Sequence, residues 1–291
     1  MAWTVLIVSI LFSAILTIIF KYFQKYKVNT PVAIVFNYVV AGGLAFIFSQ
    51  HLPSIFKFME FEWFWASVGL ALLFVTLFNL LAFTSQKIGI AQAQIASKTT
   101  FIFPAIIWFS SEGNALMKVM GIAVAIIAVF ITAREKNKPA SQNHSNFILI
   151  VTLFIGGGLL DVLLSYAEKV LIPDNELSLF SGYSFALAGL LGAIQLIYKL
   201  ITKKIEVKKK DIIAGVTLGI PNYFSIFLFL TALSYAELET SVAFTVANMG
   251  IIITATLLGA LLFKEHLSRR KLISLALALI AILLVSFSEN F

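Results

Sequence analysis

Apolar residues run along this chain in long unbroken stretches, set apart by short clusters of charge, Pro or Gly. Ten of these stretches predict helices, at about 3–20, 31–49, 63–85, 89–109, 116–133, 146–169, 177–199, 211–234, 238–262 and 270–287. Each is close to the length, about 20 residues, that crosses a hydrocarbon core as a helix. Only Gln86–Lys87–Ile88–Gly89 separates the third from the fourth, which predicts a tight turn at Gly89. Continuous apolar runs exclude the short alternating segments of a β-barrel. The first run is followed, not preceded, by Lys21, Lys25 and Lys27, the reverse of a signal peptide, and is read as a retained span. The predicted fold class is an all-α polytopic membrane protein with ten transmembrane helices.

Composition agrees. Of 291 residues, 60% are hydrophobic and 12% charged, and the mean hydropathy is +0.99. Ten crossings leave only short loops and no room for a soluble domain. The absence of cysteine excludes disulfides, thiolate metal sites and cysteine nucleophiles. A net charge of +7 would point to nucleic acid in a soluble protein, but here it sorts by side: 17 of 21 Lys and Arg fall in odd-numbered loops, against four acids. The even side carries three Lys against nine acids. The positive-inside rule therefore predicts cytoplasmic odd loops and both termini outside, in the cell (inner) membrane. The basic run Lys199–Lys210 reads first as a topological anchor, with an anionic-lipid or regulatory patch as the alternative.

The chain also repeats itself. Tyr38–Ile47 of helix 2 is similar to Phe185–Ile194 of helix 7, an offset of 147, and helices 4 and 9 align at an offset near 150. This predicts two five-helix halves, 1–135 and 146–291, joined by a polar linker at 136–145. An odd number of crossings per half places the second half upside down, as in inverted-repeat transporters. Ten short-looped helices in two such halves, Pro104 in helix 4, and Glu112-Gly113 followed by Gly121 resemble the EamA-type drug/metabolite transporters. Phe263–Lys264–Glu265 repeats part of that pattern, while Ser274 and Thr254 depart from it. The orientation predicted from charge also departs, since ten-helix members of that superfamily generally keep both termini in the cytoplasm.

Two charged residues lie well inside predicted spans, Lys98 in helix 4 and Asp161 in helix 6. Each costs about 2.5–3.5 kcal/mol to insert, so neither is expected to face lipid. Gln94 lies one turn before Lys98 on the same face, with Ala91 keeping that face open. The counterpart of Lys98 in the repeat is Asn248, and Ser241, Thr245 and Asn248 form a polar stripe on helix 9. The resemblance implies a substrate cavity between the halves to which helices 4 and 9 contribute, and a lysine on helix 4 occurs in phosphate-binding relatives; that correspondence extends to Lys98 alone. An ammonium at mid-depth would attract an organic anion or a zwitterion such as an amino acid. The alternatives are a structural Lys98–Asp161 ion pair and a lysine reaching along its stem to one surface.

Asp161 follows Gly156–Gly157–Gly158 and shares a face with Ser165 and Glu168, a candidate proton path; alternatively the glycines serve close packing and Asp161 neutralises Lys98. Further cavity candidates are Asn37 and Tyr38 on helix 2, Asn79 on helix 3, Tyr183 and Ser184 on helix 7, and Asn222 and Tyr223 on helix 8, each of which otherwise bonds a neighbouring helix. Trp3, Trp63, Trp65 and Trp108 fall where indoles anchor spans at the interface.

An enzyme is not expected. His51, His144 and His266 sit in or beside loops, no GxSxG occurs, and a single aspartate lies in a span, so neither a serine nor an aspartyl intramembrane site can be assembled. No Walker A or metal-ligand pattern appears. The expected function is secondary transport of a small polar metabolite, an amino acid or related compound, by efflux with proton coupling as one option. Exchange of organic anions or nucleotide-sugar-like solutes, or a non-transporting scaffold, is the alternative. No cofactor, metal or nucleic acid is expected; the partners are a small-molecule substrate and the lipid bilayer, for a monomer or homodimer.

Overall fold

The computed structural model describes residues 1–48, 55–107, 115–133, 140–173, 176–202, 205–233, 235 and 240–288. These form ten helices: α1 (Ala2–Lys25), α2 (Thr30–Phe48), α3 (Phe64–Lys87), a broken α4, α5 (Ala115–Ala133), α6 (Ala140–Tyr166), α7 (Leu177–Ile201), α8 (Lys209–Leu233), α9 (Thr240–Phe263) and α10 (Arg269–Ser288). Helix α4 comprises Ile90–Lys98, a 3-10 turn over Thr99–Phe101 and a short helix Ile102–Ile107. A 3-10 turn, Ile55–Glu60, precedes α3, and α6 ends in a π-helical turn, Ala167–Leu171. All the helices except α4 and α10 contain a continuous segment long and apolar enough to cross a membrane. Ile7, Ile126, Ile194 and Leu257 are each more than half exposed, an outer surface suited to acyl chains and not to water. The chain is a multi-pass membrane protein.

The predicted turn at Gly89 is present, with φ +139°, a conformation that only glycine adopts without strain. A side chain there would also approach Glu265 Oε2, at 3.2 Å. One boundary differs from expectation. Helix α6 starts at Ala140, within the stretch predicted as a polar linker, because a helix continues past the hydrocarbon edge where its polar residues meet water.

Packing places the site. Helix α1 lies against α8 and α9, α2 against α7 and α8, α3 against α6 and α7, α4 against α6 and α9, and α5 against α10. Where α2 crosses α7, Gly42 lets the backbones meet: a Cβ on it would stand a tight 3.3 Å from the Ala186 nitrogen, while one on Gly189 would reach Tyr38 Cβ at an ordinary 3.5 Å. The main apolar core joins Phe20, Ala33, Tyr38, Val75, Phe185 and Leu218, drawn from five helices. A second core, around Ile95, Ala128, Ile252 and Ile282, ties α4 to α5, α9 and α10.

Candidate functional site

The break in α4 has a local cause. Ser97, Thr99 and Thr100 each turn a hydroxyl back on the helix, with Thr99 Oγ1 2.6 Å from the Ile95 carbonyl and Thr100 Oγ1 2.8 Å from that of Ser97. Such bonds compete with the backbone ladder. Four residues after Thr100 comes Pro104, which has no N–H to offer the Thr100 carbonyl. The ladder therefore tightens to a 3-10 turn directly after Lys98, about 12 Å along the helix from Ile90 at 1.5 Å per residue.

Asp161 enters this break from α6. Its Oδ2 is 2.5 Å from Thr100 Oγ1. Gly157, one turn earlier on α6, makes the approach possible, since a Cβ there would stand 2.8 Å from the Thr100 methyl. Thus Asp161, Thr100 and the glycine run form one unit, and the first partner of the carboxylate is the threonine. Lys98 is partly buried and close enough to Asp161 to interact with it electrostatically. Its ammonium nevertheless makes no hydrogen bond, and no ion pair within 4.0 Å, among the described residues. The arrangement leaves a cation in the interior, beside but not locked to an acid.

The other sequence candidates separate into distinct places. Gln94 is buried between α4 and α1, its amide donating to Thr17 Oγ1 at 3.1 Å while its own oxygen has no partner. Tyr38 and Asn79 share a groove of about 280 Å3 between α2, α3 and α7. There the Tyr38 hydroxyl donates to the Phe74 carbonyl and the Asn79 amide to that of Val75. Asn37 is fully buried with neither side-chain amide atom paired among the described residues, and the Asn222 amide nitrogen and Ser184 hydroxyl are likewise buried without partners there. Tyr183 lies at the opposite end, stacked on Phe58 at 4.0 Å and near Trp63, and Tyr223 stacks on Phe48. Asn248 is partly buried on α9. The side chains of Ser241, Thr245 and Glu168 lie outside the described residues, as does Trp108.

Two features lie outside what the sequence pattern predicts. Thr100 is the residue that receives Asp161, and the signal for it was three hydroxyl residues crowded before a proline. Trp63, expected at an interface, is 1% exposed and donates its indole N–H to Glu176 at 2.7 Å. Trp3 and Trp65 are exposed.

No family model matches the chain. It is similar along its length to a protein of Haemophilus influenzae described as uncharacterized, 24% identical over 295 residues and covering 98% of each chain.

Proposed function

We propose that the chain is a secondary carrier of the EamA type, moving a small polar metabolite by alternating access. The observation that carries this is Lys98: an ammonium held inside a multi-pass bundle, at a helix break, with no bonding partner among the described residues. An interior cation without a structural partner is a default functional group in a membrane protein. Broken helices at mid-depth are the usual place for substrate in such carriers. The cation favours a substrate carboxylate or phosphate, so an amino acid is the first class and an organic anion the second. Asp161 offers a proton-carrying group beside it.

The two-halves reading has its own support. Tyr38 and Phe185, counterparts in the repeat, stack on one another at 6.2 Å. Gly42 meets Phe185 and Ala186, and its counterpart Gly189 meets Tyr38 and Val39. A two-fold relation between inverted halves demands this reciprocal register. Charge then favours odd-numbered loops in the cytoplasm.

Flux of labelled amino acids and organic anions into liposomes bearing the purified protein tests the carrier reading. Wild-type flux with a loss of tenfold or more in Lys98→Ala is expected; wild-type flux in Lys98→Ala removes the lysine from the mechanism, and no flux of any solute favours a scaffold. Orientation is read with single cysteines at Met59 and Glu206, at opposite ends of a chain that has no native cysteine. An impermeant thiol reagent is expected to label Met59→Cys in intact cells and Glu206→Cys only after permeabilisation; the opposite pattern reverses the topology.

A further inference from the structure

The groove between α2, α3 and α7 plays no part in the chemistry around Lys98. Its floor is apolar, formed by Ile34, Val35 and Val75. Thr76 and Gln195 of its lining are exposed, and Leu72 on α3 and Ile194 on α7, one turn from Thr76 and next to Gln195, are exposed and apolar, so within a bilayer the groove opens outward, toward acyl chains. At one end stands Lys199, half-buried, whose ammonium has no hydrogen-bond or ion-pair partner among the described residues. Beside it the Gln195 side chain also has no hydrogen bond among the described residues.

Ile205 lines both this groove and a more polar hollow of about 610 Å3 bordered by Lys27, Lys208, Lys210 and Glu206, of which Glu206 pairs with Lys208 at 3.7 Å. In that hollow Asp211 is already engaged, accepting the backbone N–H of Asn29 at 2.8 Å and of Lys208 at 3.0 Å. Lys210 donates to the Tyr26 carbonyl. The Lys27 ammonium has no partner among the described residues. An apolar trough thus runs into a cationic end with two uncommitted ammonium groups.

We propose that this groove is a binding site for an anionic phospholipid, with an acyl chain along Val35 and Val75 and the phosphate held by Lys199, the charge of Lys27 behind it. A free anion would leave the apolar floor unused. An apolar partner would bury the Lys199 ammonium without compensation. An anionic lipid satisfies both ends at once.

Native mass spectrometry of the detergent-purified protein, with phosphatidylglycerol and phosphatidylcholine added in equal amounts, provides the test. Phosphatidylglycerol adducts are expected to survive activation that strips phosphatidylcholine. Lys199→Ala is expected to weaken phosphatidylglycerol about fivefold, the effect of one interfacial cation, while Lys199→Arg retains it. Thr76→Trp fills the groove from its exposed side and is expected to displace the lipid, and Lys87→Ala, whose lysine bonds Ser145 at the same end of the bundle, is expected to change nothing. Equal retention of the two lipids overturns the proposal, as does wild-type phosphatidylglycerol binding by Lys199→Ala. Displacement of the lipid by inorganic phosphate alone would make this a site for a free anion, and a Thr76→Trp effect confined to dimer formation would make it an interface between copies; either result also overturns it. Solute flux does not enter this test, so its failure leaves the carrier reading standing.

Discussion

The Lys21 ammonium lies 3.1 Å from Glu265 Oε1, joining the end of α1 to the loop between α9 and α10. The same carboxylate receives the backbone N–H of Ile90, at 3.1 Å, and so caps α4 from the far end of the chain. Lys21 also donates to the Ser85 carbonyl at 3.2 Å. With side chains 19% and 10% exposed, the pair is only weakly screened by solvent. Glu265→Gln is expected to lower stability by about 2 kcal/mol, the scale of a hydrogen bond to a charged group. Unfolding of Glu265→Gln, Lys21→Met and the double variant in mixed micelles checks this: the double is expected to lose less than the sum of the singles, and strict additivity would show that the two groups do not interact.

Thr100 is the hydroxyl that meets the partly buried carboxylate of Asp161. Thr100→Val keeps the shape and removes the bond, at an expected cost of about 1–3 kcal/mol. Thr100→Ser restores the donor. Stability and flux are both expected to fall in the valine variant and to return in the serine variant; wild-type behaviour in Thr100→Val would mean that Asp161 is held by other contacts.

Pro104 has the opposite character, since it withholds a bond from α4. Pro104→Ala supplies an N–H for the Thr100 carbonyl and is expected to raise the thermal midpoint by a few degrees, following the difference of roughly 3 kcal/mol in helix propensity, reduced by the distorted geometry of the turn. If the broken helix serves transport, flux falls as stability rises. A midpoint that drops on this change would show that the break is set by tertiary packing alone.

Two glycines give a contrast that needs no function at all. A Cβ on Gly219 would stand 2.8 Å from the Asn37 carbonyl oxygen and 2.7 Å from Val40 Cβ, whereas one on Gly43 meets nothing within 4 Å. Gly219→Ala is expected to destabilise by about 1–3 kcal/mol through overpacking. Gly43→Ala is expected to stabilise by up to about 1 kcal/mol through helix propensity. Thermal unfolding in detergent distinguishes them, and equal effects would contradict the α2–α8 packing.

What could be read from the chain depended on range. The helices and the Gly89 turn are local, carried by apolar run length and by one glycine, and they were legible. The continuity of α4 was misjudged because hydropathy does not register hydroxyls bonding back to the ladder at Ser97, Thr99 and Thr100. Gln94 was grouped with Lys98 by helical spacing, yet its partner is Thr17 on α1, a contact that no periodicity announces. Trp63 was placed at an interface by its position near a helix start, and Glu176, the group that draws it inward, lies in another loop far along the chain. Lys98 and Asp161 stood out because charge inside a span is rare and costly, and that signal needs no knowledge of neighbours.

The crossing of α2 and α7 has a further consequence. Gly42 faces the Ala186 backbone so closely that α7 is the mould in which this turn of α2 is cast. Volume added at Gly42 would press on the Ala186 backbone at 3.3 Å, whereas a methyl at Gly189 would meet Tyr38 at an ordinary contact distance of 3.5 Å. A side chain gained at Gly42 is therefore borne by α7 as much as by α2, and the spacing of the two helices is set by a hydrogen atom where any other residue has a carbon.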